Sequence, residues 1–173
     1  MRSATADAHD RLDGGMERFD LASPRDYAAF LSIQLAAREP IEEWCAAHAP
    51  DGLTPPAQSA LIRADLADLA FDTPADAPAS EADFGEPLGV AWALGGSSLG
   101  NRAMLAHLKK RVGNDWPVRF LADEAMPAYW KTLRPTLEGP ADAATAEAAT
   151  HAALAVFARF AAALAAHERQ AAA

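Results

Sequence analysis

Few residues in this chain have types and spacing that point to chemistry, and His9 heads them. It lies on the apolar stripe of a first helix that reads from about Arg2 to Met16, with Thr5, Leu12 and Met16 along the same stripe. Asp13 stands one turn later, where its carboxylate reaches the imidazole N–H. A metal-ligating histidine usually has such an acceptor behind it, which fixes the tautomer and raises the basicity of the other ring nitrogen. The pair reads also as a partly buried histidine capped by its neighbour, the reading that local sequence favours. Both readings stay open.

The second feature is Gly95-Gly96-Ser97-Ser98-Leu99-Gly100, set inside a stretch from Leu88 to Val112 that otherwise reads as one helix. Glycine in a helix interior costs about 1 kcal/mol relative to alanine. Gly96 and Gly100 are four apart, so they share a face and leave a bare strip of backbone there. Such a strip admits either a tightly packed neighbouring helix or a flat ligand. His48, His107, His151 and His167 have no partner at a metal-ligand spacing and read as surface histidines. His107-Leu108-Lys109-Lys110-Arg111 is a basic cluster suited to a helix C-terminus. No nucleophile elbow, dinucleotide fingerprint or phosphate loop is present.

The elements that must position these residues are helices. The chain is rich in alanine, leucine and arginine and poor in β-branched residues, and only 8% of it is aromatic. After Gly14-Gly15, expected to end or bend the first helix, Ser23-Pro24-Arg25-Asp26 is a helix start, with Ser23 as cap and Asp26 as its capping-box partner. That second helix carries Tyr27, Phe30, Leu31, Ile33, Leu35 and Ile41, with a kink near Pro40, and ends before Pro50. A third runs from Thr54-Pro55 to near Phe71, and the proline- and acid-rich stretch from Asp72 to Glu86 reads as a surface connection. Pro87 opens the glycine-interrupted helix. A segment from Trp116 to about Leu133 is broken midway by Pro127, and a last helix covers Ala141 to Gln170 with Leu154, Phe157, Phe160 and Leu164 as its stripe. The expected architecture is all-α, a single domain over 1–173 of about seven helices, frayed at 171–173.

The 173 residues suffice for one substantial core, although alanine inflates the 51% apolar fraction. A net charge of -9 argues against nucleic acid as a partner. Cys45 is the only cysteine, so there is no disulfide framework and no cysteine-rich metal site. No signal core follows Met1, and no apolar run approaches bilayer length, so a cytoplasmic protein without a membrane partner is expected.

Two segments together carry a resemblance. Met1-Arg2-Ser3-Ala4-Thr5-Ala6-Asp7-Ala8-His9 resembles the N-terminal L-[RK]-x-x-T-x-x-x-H segment of the heme oxygenases, and Trp92-Ala93-Leu94-Gly95-Gly96-Ser97-Ser98-Leu99-Gly100-Asn101-Arg102 resembles their distal helix. The likeness is greatest to the bacterial branch that supplies biliverdin to phytochromes, which reads like Y-V-L-E-G-S-x-L-G-G. The order and separation of the motifs, the helical pattern and the length agree across essentially the whole chain.

The resemblance implies a heme-oxygenase-like helical bundle that opens the heme ring with O2 to biliverdin, carbon monoxide and ferrous iron, heme being both cofactor and substrate. It makes His9 the axial iron ligand and Asp13 its orienting carboxylate. Arg2 and Lys131 become propionate partners, with Thr5 part of the proximal motif. Gly96, Ser97 and Gly100 become the catalytic distal segment, and Phe157 and Phe160 wall the pocket. Ser97 stands where many members have an aspartate. Asn101 replaces a glycine and is expected to crowd the heme, and Gly95 replaces a glutamate and is expected to loosen the helix. The implied partners are an external ferredoxin- or flavin-type reductase and a bacteriophytochrome that takes the bilin. The alternatives are a non-catalytic heme carrier or interaction module on the same fold, or an enzyme using another small ligand there, as thiaminase-type relatives of the fold do. The latter is disfavoured because Cys45 is isolated on the second helix.

Overall fold

In the computed structural model, which describes residues 1–71, 83–113 and 115–172, the chain forms six α-helices and no strand among the described residues. They are α1 (Arg2–Met16), α2 (Pro24–His48), α3 (Ser59–Asp68), α4 (Pro87–Leu108), α5 (Ala125–Glu138) and α6 (Ala143–Ala171). The centre is α6, on which α1, α2 and α4 all pack, while α3 lies against α2 and α5 against α4.

Side chains decide where the helices begin. Ser23 caps α2 by accepting from the Asp26 N–H at 3.4 Å, with Pro24 in the first turn. The expected return bond from Asp26 is not made, because its carboxylate accepts from the Asp20 N–H at 3.2 Å. Pro40 lies inside α2 and has no N–H to give the Ala36 carbonyl one turn back. Arg159 of α6 fills that vacancy, donating to the Ala36 oxygen at 2.9 Å. The third helix starts at Ser59, later than Thr54-Pro55, and ends earlier than Phe71. Thr54 instead sends its hydroxyl back to the Ala49 and Pro50 carbonyls, and the Glu42 carboxylate of α2 takes the Gln58 and Ser59 N–H groups at 2.8 and 3.2 Å.

The segment expected as a broken helix from Trp116 is turns as far as Glu124. Asp65, fully buried on α3, accepts from the Arg119 and Phe120 N–H groups at 3.0 and 2.9 Å, and those donors are then unavailable to a helix. Asp123 next accepts from the Ala125 and Met126 N–H groups, and α5 begins there. Pro127 therefore sits in a first turn, where it breaks nothing, and α5 continues to Glu138. Six helices result where about seven were expected.

Two apolar clusters meet along α2. One joins Ile41, Trp44 and Cys45 with Val90 and Leu94 of α4 and Val156 and Phe160 of α6. The other joins Tyr27, Phe30, Leu31 and Leu35 with Ile62 and Leu66 of α3, Leu108, Phe120 and Leu121. Phe84, in the stretch read as surface connection, is buried in the first cluster, while residues 72–82 of that stretch lie outside the described residues. Gly14 and Gly15 do not interrupt α1. At Gly15 a Cβ would stand 2.6 Å from a Leu164 methyl, so the missing side chain seats α1 on α6. The last helix runs to Ala171, and Ala173, at the end expected to fray, is outside the described residues. By length and composition α6 is long and apolar enough to cross a membrane, contrary to expectation, because alanine counts as apolar. Its buried residues Ala149, Ala152, Ala153, Val156, Phe160 and Leu164 face the helices packed on it.

Cys45 supplies a pH dependence. Burial pushes its thiol up to about 12 from 9.0, with Glu42 adding to the shift. A raised folded-state pKa gives stability that is complete below pH 9 and is lost as the pH rises towards 12. Between pH 8 and 10 the unfolding free energy should fall by about 1 kcal/mol more in the native protein than in Cys45→Ala, as read by denaturant titrations at the two pH values.

Candidate functional site

The face of α4 that carries Gly96 and Gly100 also carries Gly89, two turns before Gly96. At Gly89 a Cβ would lie 2.0 Å from the Ala149 carbonyl oxygen, so α4 and α6 touch backbone to backbone. At Gly96 the nearest atom, a Trp130 ring carbon, is 4.0 Å away, and at Gly100 nothing lies within 4 Å. Along one face, therefore, α4 passes from tight contact with α6 to open space. Close packing accounts for Gly89, Gly96 borders the Trp130 ring, and Gly100 leaves its stretch of backbone open.

Phe157 of α6 connects this face to His9. Its ring stands edge-on to the Trp92 indole at 6.4 Å between centroids and edge-on to the His9 imidazole at 5.9 Å. Trp92 is one turn before Gly96 on the same side of α4. Leu99, beside Gly100, is 58% exposed, one of the two large apolar side chains left in solvent among the described residues. An apolar, partly open surface thus runs from α1 across Phe157 to the glycine strip.

His9 itself is half exposed, with 54% of its side chain open to solvent. Its Nδ1 is 3.2 Å from Asp13 and 3.6 Å from Asp10. With the ring proton on Nδ1 and directed to Asp13, Nε2 keeps its lone pair, and no protein group among the described residues engages it. Partial burial raises the Asp13 carboxyl above its ordinary value, and His9 acts against that rise. A groove of about 380 Å³ lies between α1 and α6, lined by Ala8, Arg11, Leu12 and Phe157 among others, and His9 does not line it.

The remaining expected site residues divide. Arg2 and Lys131 are exposed cations with no ion pair among the described residues, and Lys131 follows Trp130, which covers Gly95. Thr5 is buried, with its hydroxyl 3.3 Å from both the Met1 and Arg2 carbonyls, so it is bound into the helix's first turn. Asn101 is buried and one residue round the helix from Gly100, which turns it about 100° away from the open strip. Phe160 is a core residue. Gly95 does more than loosen α4, since a Cβ there would be 2.9 Å from the Trp130 ring; the glycine seats α5.

Ser97 is turned towards α2. Its hydroxyl donates to the Leu94 carbonyl at 2.6 Å and accepts from Arg38 Nη2 at 3.1 Å. Arg38 was missed in the sequence, although its spacing from Leu31 and Leu35 places it on the buried stripe of α2. It is fully buried, its guanidinium packed over Phe120 and Phe160 at 5.1 and 5.6 Å. Burial lowers its pKa to about 10, with Glu42 and Asp123 opposing the shift from a distance, so it remains a cation at neutral pH.

No protein-family model matches the chain, and no curated protein matches it significantly.

Proposed function

We propose that this protein is a heme oxygenase on a heme-oxygenase-like helical bundle, and that it releases biliverdin using electrons from an external reductase. The observation that carries this reading is the pairing of His9, whose Nε2 is free while Nδ1 is held by Asp13, with an α4 face that opens at Gly100 beyond the Trp130 ring bordering Gly96. The two lie on either side of Phe157, whose ring neighbours both His9 and Trp92.

The residues fit a flat iron macrocycle. His9 Nε2 would hold the iron, and Asp13 fixes the tautomer that leaves the lone pair there. The bare backbone at Gly96 and Gly100 would let the ring lie close to α4, where any side chain would hold it off. Phe157 offers an apolar wall beside His9, and Arg2 and Lys131 are unpaired cations suited to two propionates. When bound, heme supplies the oxygen chemistry and is itself the molecule opened. The protein's own part would be to bind it and orient it.

Ser97 favours one further reading. With its hydroxyl already shared between Leu94 and Arg38, it offers little to a ligand, and that suits a heme carrier on the same fold. Hemin titration followed by ascorbate and oxygen separates the two. A heme oxygenase gives a saturable Soret band at one equivalent, which then decays into a bile-pigment spectrum. Stable binding without ring opening selects the carrier, and no spectral change at micromolar hemin removes both. His9→Ala should lower hemin affinity at least tenfold while leaving the thermal midpoint within about 2 °C, because the half-exposed ring contributes little to packing.

A further inference from the structure

The glycine segment of α4 should be soft. Three glycines in six residues raise its backbone freedom, and Ser97 and Ser98 both bond back to carbonyls three residues earlier, at 2.6 and 2.7 Å. Such back-bonding competes with the helix ladder and bends helices. Among the described residues, one side chain from another element forms a hydrogen bond to positions 95–100, and it is Arg38.

Arg38 is built as a rigid anchor. The guanidinium lies where the two apolar clusters meet, over Phe120 of one and Phe160 of the other. Gln34 holds its Nε at 3.2 Å, and no carboxylate of the described residues forms an ion pair with it. The two acidic groups that act on it, Glu42 and Asp123, are bonded elsewhere: Glu42 to the Gln58 and Ser59 N–H groups, Asp123 to Gln58 and the start of α5. Its Nη1 is buried with no partner. Sealing a guanidinium in a core without a contact ion pair is costly, and hydrophobic residues of similar volume would commonly serve stability as well or better. The directed product of that burial is the bond to Ser97.

We infer that Arg38 is the positioning residue of the glycine strip: by holding Ser97 Oγ it fixes the Gly95–Gly100 backbone in the one arrangement that faces a bound ligand. The inference rests on the reading of that strip as the ligand face, but its first test does not. In ligand-free protein, amide hydrogen exchange at residues 95–100 should speed up roughly tenfold in both Arg38→Met and Ser97→Ala, with exchange in α3 and the N-terminal half of α2 unchanged. At residues 95–100 the double variant should exchange no faster than Ser97→Ala alone, because that variant already lacks the Arg38–Ser97 bond. Ser97→Ala keeps the arginine in place and so remains informative if Arg38→Met fails to fold. Acceleration that is equal across all helices, or no acceleration at 95–100 in Ser97→Ala, overturns the inference. The second test uses hemin: both variants should broaden or shift the Soret band of the bound form, and an unaltered band in both overturns Arg38 as a positioning residue. If native protein takes up no hemin, the functional reading falls, and the exchange result still decides whether Arg38 anchors α4.

Discussion

Gly89→Ala is expected to destabilise this protein more than any other glycine-to-alanine change among the described residues. The added Cβ would stand 2.0, 2.7 and 2.9 Å from the oxygen, carbonyl carbon and Cα of Ala149. All three are backbone atoms of α6, so no side-chain rotation relieves the clash. The helices must separate, and α6 is the element on which α1 and α2 also rest. Overpacking of this kind costs about 3 kcal/mol, and the better helix propensity of alanine returns about 1 of it. The net loss of about 2 kcal/mol corresponds to a thermal midpoint lower by roughly 6 °C in a chain of this size. Gly14→Ala is the control. It lies in α1 with nothing within 4 Å of the new methyl, and it should stabilise slightly. Equal midpoints for Gly89→Ala and native protein in differential scanning calorimetry would show that α4 and α6 do not meet as closely as the structure has them.

Gly89 also shows what the sequence does and does not disclose. The helical class follows from composition, and the start of α2 follows from Ser23-Pro24, because those signals are local. The starts of α3 and α5 are not local. Glu42 acts on Gln58 and Ser59 across a loop, and Asp65 takes the N–H groups of Arg119 and Phe120 from a different helix altogether. A sequence window containing Trp116 to Leu133 carries no trace of the carboxylate that keeps its first half from becoming helical.

Within the glycine segment, spacing identifies the shared face of Gly96 and Gly100, but only tertiary contacts separate the roles. Gly89 and Gly95 admit neighbouring elements, Gly96 borders the Trp130 ring, and Gly100 faces open space. The His9–Asp13 pair is legible as one turn of helix, and its link to α4 through Phe157 is a tertiary fact. Arg38 reads as a charge at a core position, a local contradiction of the kind that functional sites tend to hold.

Gly100→Leu should move two observables in opposite directions, and that opposition distinguishes a ligand face from a packing seam. In the ligand-free protein the position is open, with no atom within 4 Å of a new Cβ, and the exposed face leaves the rest of the side chain room to turn to solvent. Leucine is favoured over glycine in a helix interior by about 0.8 kcal/mol, and the thermal midpoint should rise by about 2 °C. A native helix that forgoes this gain at an uncrowded position has kept glycine for something other than its own stability. If that purpose is the approach of a flat ring to the backbone, the leucine side chain occupies the space the ring needs. Hemin affinity should then drop at least a hundredfold, about 2.8 kcal/mol, measured by Soret titration beside the native protein. A more stable protein that binds hemin as tightly as before would place the ligand away from α4 and remove Gly100 from the site, whatever His9 does.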